Sequence, residues 1–141
     1  MSFERIIHDA NGKPCIRDSG IPVGRILGAM AGGTTRRELL AKMPALESAD
    51  IDEAFAFIKQ QVKARELPEM EYRGQDLSIA ERSDFRAPDP VSERLESLIR
   101  RQKTNRISGE EKLEVEDYLR LDHVLAMMKA VAKLQLVSAV G

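Results

Sequence analysis

The side chains able to do chemistry in this chain are few and poorly spaced for it. His8 and His123 stand far apart, and neither has a companion at the spacing of a metal-ligand pair. Gly32-Gly33-Thr34-Thr35 precedes a helical pattern, where free N–H groups can hold an anion. The lysine of a phosphate-cradling loop is missing there, so the plainer reading is a turn. Glu110-Glu111 and Glu116-Asp117 are paired carboxylates on what reads as a solvated helix face, so no general acid and base pair is expected. Cys15 is the sole cysteine, which excludes an internal disulfide and fits a reducing cytoplasm. In an expected strand it reads as a small buried hydrophobe. The expectation is therefore a protein that is no enzyme and carries no cofactor and no metal.

What remains is recognition. Arg25, Arg36, Arg37 and Lys42 are the candidates for contacts to DNA phosphates, and ordinary solvated charge is the competing reading for all four. They belong to a block of three helical patterns. Val23, Ile26, Leu27 and Met30 fall at i, i+3, i+4 and i+7, one face of a helix that leaves Gly24, Arg25 and Gly28 outside it. Gly32-Gly33 ends that helix. Thr35 and Glu38 match a capping box opening a second one, whose apolar side is Leu39, Leu40 and Met43. Pro44 stops it, and the chain restarts near Glu47 or Ser48 with Ile51, Phe55, Ile58 and Val62 along a third helix. With Glu47 as N-cap, Leu46 and Ile51 occupy the positions of a hydrophobic staple. Two helices joined by a short turn and braced by a preceding helix describe a tri-helical helix-turn-helix unit. Before it, Arg5 to His8 and Lys13 to Arg17 flank Asp9-Ala10-Asn11-Gly12, the signature of a β-hairpin.

The run Gly12-Lys13-Pro14-Cys15-Ile16-Arg17, then Ile21-Pro22-Val23, Ile26-Leu27, Gly33, Thr35, Glu38, Leu40, Pro44, Leu46 and Asp50-Ile51 resembles the domain-of-unknown-function family numbered 433. The likeness extends over Phe3 to Val62 without a gap. That family is antitoxin-like, with members often paired with a small nuclease-type toxin. The resemblance implies a regulator that binds operator DNA and neutralises a toxin protein. The chain departs from the pattern at informative points. Asp18-Ser19-Gly20 stands where the family has G-T-R, and Glu47 replaces the threonine that opens the third helix. Glu47, Asp50, Asp52 and Glu53 then face no Lys or Arg in that turn. Acids suit a helix N-terminus and suit a DNA groove badly. An interaction or oligomerisation module that keeps the scaffold without binding DNA is the alternative.

From Leu67 to Pro90 the periodicity dissolves among Pro68, Gly74, Pro88 and Pro90, which reads as a linker. A tether is its plain reading; a segment that threads across a partner and orders on binding is the functional one. After it, Val91, Leu95, Leu98 and Ile99 mark a helix, with Arg100, Arg101, Lys103 and Arg106 complementing the dipole at its end. Ser108 and Glu111 form another capping box, and one long helix follows to about Val137. Its apolar stripe is wide enough that Leu121, Leu125 and Met128 are candidates to meet a toxin or a second protomer.

Composition fits this plan. Aromatic residues make up 4% of the 141 and Trp is absent, so the core must come from aliphatic side chains and Met on helices. The net charge of −1 supplies no global attraction to nucleic acid or to an anionic membrane. No apolar run approaches a bilayer span, and the N-terminus has no secretory core, so a cytoplasmic protein without a membrane partner is expected. The expected fold is mainly α: an N-terminal β-hairpin plus a tri-helical helix-turn-helix domain over 1–66, a linker over 67–90, and a C-terminal helical hairpin over 91–141. A homo-oligomer is expected.

Overall fold

A computed structural model describes residues 3–140. The chain opens with a hairpin of β1 (Ile6–His8) and β2 (Pro14–Ile16), paired antiparallel with Ile6 opposite Ile16 and His8 opposite Pro14. Asp9 shapes its turn by accepting the N–H groups of Asn11 and Lys13, both at 2.9 Å, and Gly12 supplies the positive φ of 81° that closes it. Three helices follow: α1 (Val23–Ala31), α2 (Arg36–Lys42) and α3 (Ser48–Lys63). Each begins and stops where the sequence demands it. Thr35 and Glu38 exchange the two hydrogen bonds of a capping box at α2, and Leu46 and Ile51 are both buried at the entry to α3.

The segment expected to be a loose linker is folded. It contains a second hairpin, β3 (Glu71–Tyr72) with β4 (Gln75–Asp76), and a short helix, α4 (Ile79–Asp84), capped by Ser78 and Glu81. Its two-residue turn, Arg73-Gly74, has positive φ at both positions, the backbone of a type I′ hairpin. Met70 is 1% exposed, and Phe85 is buried with its ring edge-on to Tyr72 at 5.2 Å. The seat for this segment is α1. Gly24 and Gly28 lie on a second buried face of that helix, not on an exposed one, and the backbone of residues 69–72 rests against them. A methyl at Gly28 would stand 1.7 Å from the Glu71 carbonyl oxygen, so only glycine admits the contact.

The C-terminal hairpin consists of α5 (Asp89–Lys103) and α6 (Gly109–Val140). Ser108 and Glu111 cap α6 reciprocally, and Arg94 and Arg101 on α5 reach Glu114 and Glu111 on α6. This hairpin is no separate domain. Leu121, Val124, Leu125 and Met128 enter the same hydrophobic cluster as Ile16, Leu27, Phe55 and Met70. The division into a domain, a linker and a hairpin thus gives way to one core, because α6 packs along α3 and α4. Mainly α architecture with an N-terminal hairpin stands. No helix of the described residues is long and apolar enough to cross a membrane.

Two outcomes follow from this packing. Gly28→Ala should lower stability by about 3 kcal/mol in urea unfolding, since the added methyl meets backbone rather than a mobile side chain, while Gly109→Ala, with open space around it, should be near neutral. The Glu111 carboxyl, held by Arg101 and by the Ser108 N–H, is lowered from 4.5 to about 2. Its folded value lies below its unfolded one, so its contribution is complete above pH 4.5 and is lost as pH falls toward 2. Glu111→Gln should flatten the acid branch of the stability curve within that window, as followed by circular dichroism.

Candidate functional site

The residues singled out for recognition gather around the turn between α2 and α3. Leu39 N-terminal to the turn and Leu46 within it are buried, which fixes α2 against α3, and Pro44 prevents α2 from continuing. The first turn of α3 is as acidic as its sequence, and every acid in it has a place inside the chain. Glu47 donates its N–H to Asp50 Oδ2 at 2.8 Å. Asp50 and Glu47 then accept Arg5 Nη1 at 3.0 and 3.3 Å, while the Arg5 N–H donates to Glu53 Oε2 at 2.5 Å. Arg5, brought in by the chain leading into β1, thereby offsets part of the negative charge at the start of α3.

Asp52 turns the other way, toward Arg36. That arginine, expected as an exposed phosphate contact, is only 8% exposed. Its Nε and Nη2 donate to the two carboxylate oxygens of Asp117 at 3.0 and 2.9 Å, a bidentate pair between α2 and α6. Nη2 also donates to Asp52 Oδ1 at 2.6 Å, and Nη1 donates to the Ser48 hydroxyl and carbonyl at 2.7 and 3.0 Å. All five N–H donors of the guanidinium are thus engaged. Hydrogen bonds to Asp117, against the opposing effect of burial, hold its pKa far above the ordinary arginine value. Arg120 completes the cluster from α6, 3.3 Å from Asp117 Oδ1 and 3.6 Å from Asp52 Oδ1, with its guanidinium over the Phe55 ring.

The other three candidates differ. Arg37 is exposed and pairs with Glu110 at 2.8 Å; Arg25 is exposed and pairs with Glu71 at 3.1 Å. Lys42 is exposed and makes no ion pair among the described residues. The structure therefore does not collect the four into one basic surface. Leu121, Leu125 and Met128, expected to meet a partner, are buried at 8% exposure or less within the chain's own core. The wide stripe that suggested a second molecule is covered by α3, α4 and α5. Large apolar side chains do stay exposed nearer the end of α6, at Leu134 (57%) and Val137 (70%).

Asp117 was read as part of a solvated pair and is instead the buried anchor of the cluster, 4% exposed. A signal for it exists in the sequence, since Asp117 precedes Leu121 by four residues and so continues the buried stripe of α6. The N–H groups of Gly33, Thr34 and Thr35 in the Gly32–Thr35 turn are met from within the chain, the first two by the Met30 and Ala29 carbonyls. The Thr35 N–H and hydroxyl both donate to Glu38 Oε1, so the chain supplies its own carboxylate. Cys15 is buried as expected, and burial followed by the nearby Asp9 raises its thiol pKa, keeping it protonated.

Residues 8–58 match the family described as "Protein of unknown function (DUF433)". The match begins at the end of β1 and runs into α3, so it contains Arg36 and Asp52 but not Asp117. No characterised protein and no solved structure matches the chain.

Removing one partner of a buried, fully hydrogen-bonded ion pair leaves an uncompensated charge. Asp117→Ala should cost about 3–5 kcal/mol in urea unfolding, whereas the apolar pair Arg36→Met with Asp117→Leu should regain most of that loss.

Proposed function

We propose, with the family match over residues 8–58 as premise, that the protein is an interaction module built on a helix-turn-helix scaffold, meeting a protein partner in preference to duplex DNA. The observation that carries this reading is the engagement of Arg36 by Asp117, Asp52 and Ser48. Affinity for DNA rests on cations that neutralise phosphates and release counterions. Here the most central cation of the unit has no donor left to offer, and α6 occupies one side of α3. The opening turn of α3 adds Glu47, Asp50, Asp52 and Glu53, which repel a phosphate backbone. The antitoxin-like role implied by the family resemblance fits the same reading, with a toxin protein as partner class. Leu134 and Val137 give such a partner, or a second protomer, exposed apolar surface. A cytoplasmic setting belongs to the proposal and is supported by the lone, buried Cys15.

A DNA-binding regulator is the second reading. The intact α2–turn–α3 unit and the exposed Arg37 and Lys42 favour it.

Fluorescence anisotropy on DNA from the protein's own upstream region, run as a salt series, separates the two. The interaction module should bind no tighter than to unrelated DNA, with a shallow salt slope that Arg25→Ala/Arg37→Ala/Lys42→Ala leaves unchanged. Tight, sequence-selective binding, with a steep slope reduced by that triple variant, would establish the regulator instead.

A further inference from the structure

Between the turn that joins α1 to α2 and the C-terminal hairpin lies a cavity of about 260 Å³. Its walls include Met30 from α1, Val91, Leu95 and Leu98 from α5, and Leu121 from α6. One side is backbone. Gly33 has φ +107°, and a methyl there would stand 2.8 Å from Val91 Cγ2, so the turn lies directly against α5. Helix, turn and helix hairpin thus border a half-open apolar space slightly smaller than the roughly 300–1,000 Å³ of ordinary small-molecule sites.

The charges bordering this space are already matched. Arg36 is held by Asp117, and Arg94 donates to Glu114 at 3.0 Å. An ionic ligand would lose hydration and find no unpaired counter-charge. The Thr35 hydroxyl is committed to Glu38. The Thr34 and Tyr118 side chains, by contrast, are half-buried, make no hydrogen bond among the described residues and stand among the residues lining the same space, where their hydroxyls remain open to solvent. Burial, with Asp122 a smaller influence, raises the Tyr118 phenol above its ordinary value, so it stays protonated and able both to donate and to accept.

We infer that this cavity is a binding site for a small neutral molecule, with a ring-sized apolar body against Met30, Leu95, Leu98 and Leu121 and one hydrogen-bonding group at the Tyr118 hydroxyl. The site lies on the face of α1 and α2 turned toward the C-terminal hairpin, and it stands whether the protein meets a partner protein or DNA.

The test is a titration of the full chain, carrying ¹³C-labelled methyl groups, with indole and, separately, with benzoate as a charged molecule of similar size. Indole should give saturable shifts at the methyls of Met30, Leu95, Leu98 and Leu121, and benzoate should bind about tenfold more weakly or worse. Tyr118→Phe should weaken indole severalfold without changing the melting temperature, and Leu95→Trp, which fills the space, should abolish it. The wild-type titration needs no variant to fold. Absence of saturation up to the solubility of indole, equal binding of benzoate, or shifts led by Leu134 and Val137 at the exposed end of α6 would overturn the assignment. Unchanged indole affinity in Tyr118→Phe would overturn its polar half.

Discussion

The guanidinium of Arg36 ties together three helices that the sequence presents as two separate parts. A buried positive charge is tolerable only when every donor has an acceptor and the charge has a partner, and Arg36 meets both conditions through Asp117, Asp52 and Ser48. The acceptors come from the start of α3 and from α6, so the geometry of the fork dictates how α2, α3 and α6 are oriented. A well-packed apolar cluster could supply similar stability. What the ion pair adds is orientation, since a bidentate contact at 2.9 and 3.0 Å admits one arrangement where aliphatic packing admits several.

With α6 fixed, the remaining parts have little freedom. Its stripe of Leu121, Val124, Leu125 and Met128 closes one side of the core built by α1 and α3, and α4 covers a further part of it. Residues 69–72 close another side along the glycines of α1. The absence of tryptophan and the scarcity of aromatic side chains are met by this arrangement, in which one core of aliphatic residues and Met draws on nearly every element.

The parts of the fold written in local chemistry were legible beforehand. Asn11-Gly12, the Thr35–Glu38 and Ser108–Glu111 boxes, Pro44 and the i, i+3, i+4 stripes each act within a few residues, and the hairpin and the five longer helices follow from them. The 67–90 segment was not legible, because its order comes from a distant seat. Gly24 and Gly28 reveal a groove only once a strand lies in it, and Arg73-Gly74 makes a tight hairpin without the usual Asn or Asp. The surroundings of the recognition candidates were not legible for a related reason. Arg36 precedes Leu39 and Leu40 by three and four residues, on the apolar side of α2, but no spacing tells that a carboxylate 81 positions later stands opposite it. Leu121, Leu125 and Met128 were rightly seen as one apolar stripe; only the identity of what covers it lay in tertiary structure.

The pairs around the helix-turn-helix unit do not weigh equally. Arg25–Glu71 and Arg37–Glu110 are exposed, and such pairs contribute about 0–1 kcal/mol, so a competing phosphate could separate them at little cost. The freed carboxylates would nevertheless remain beside that phosphate and repel it. Arg36 is different, because releasing it leaves Asp117 charged and buried and undoes the joint between α2 and α6. Whether the Arg36 guanidinium is open to any outside group is therefore decided by the position of α6. As long as Asp117, Asp52 and Ser48 occupy the guanidinium, Arg36 has no donor to offer an outside anion.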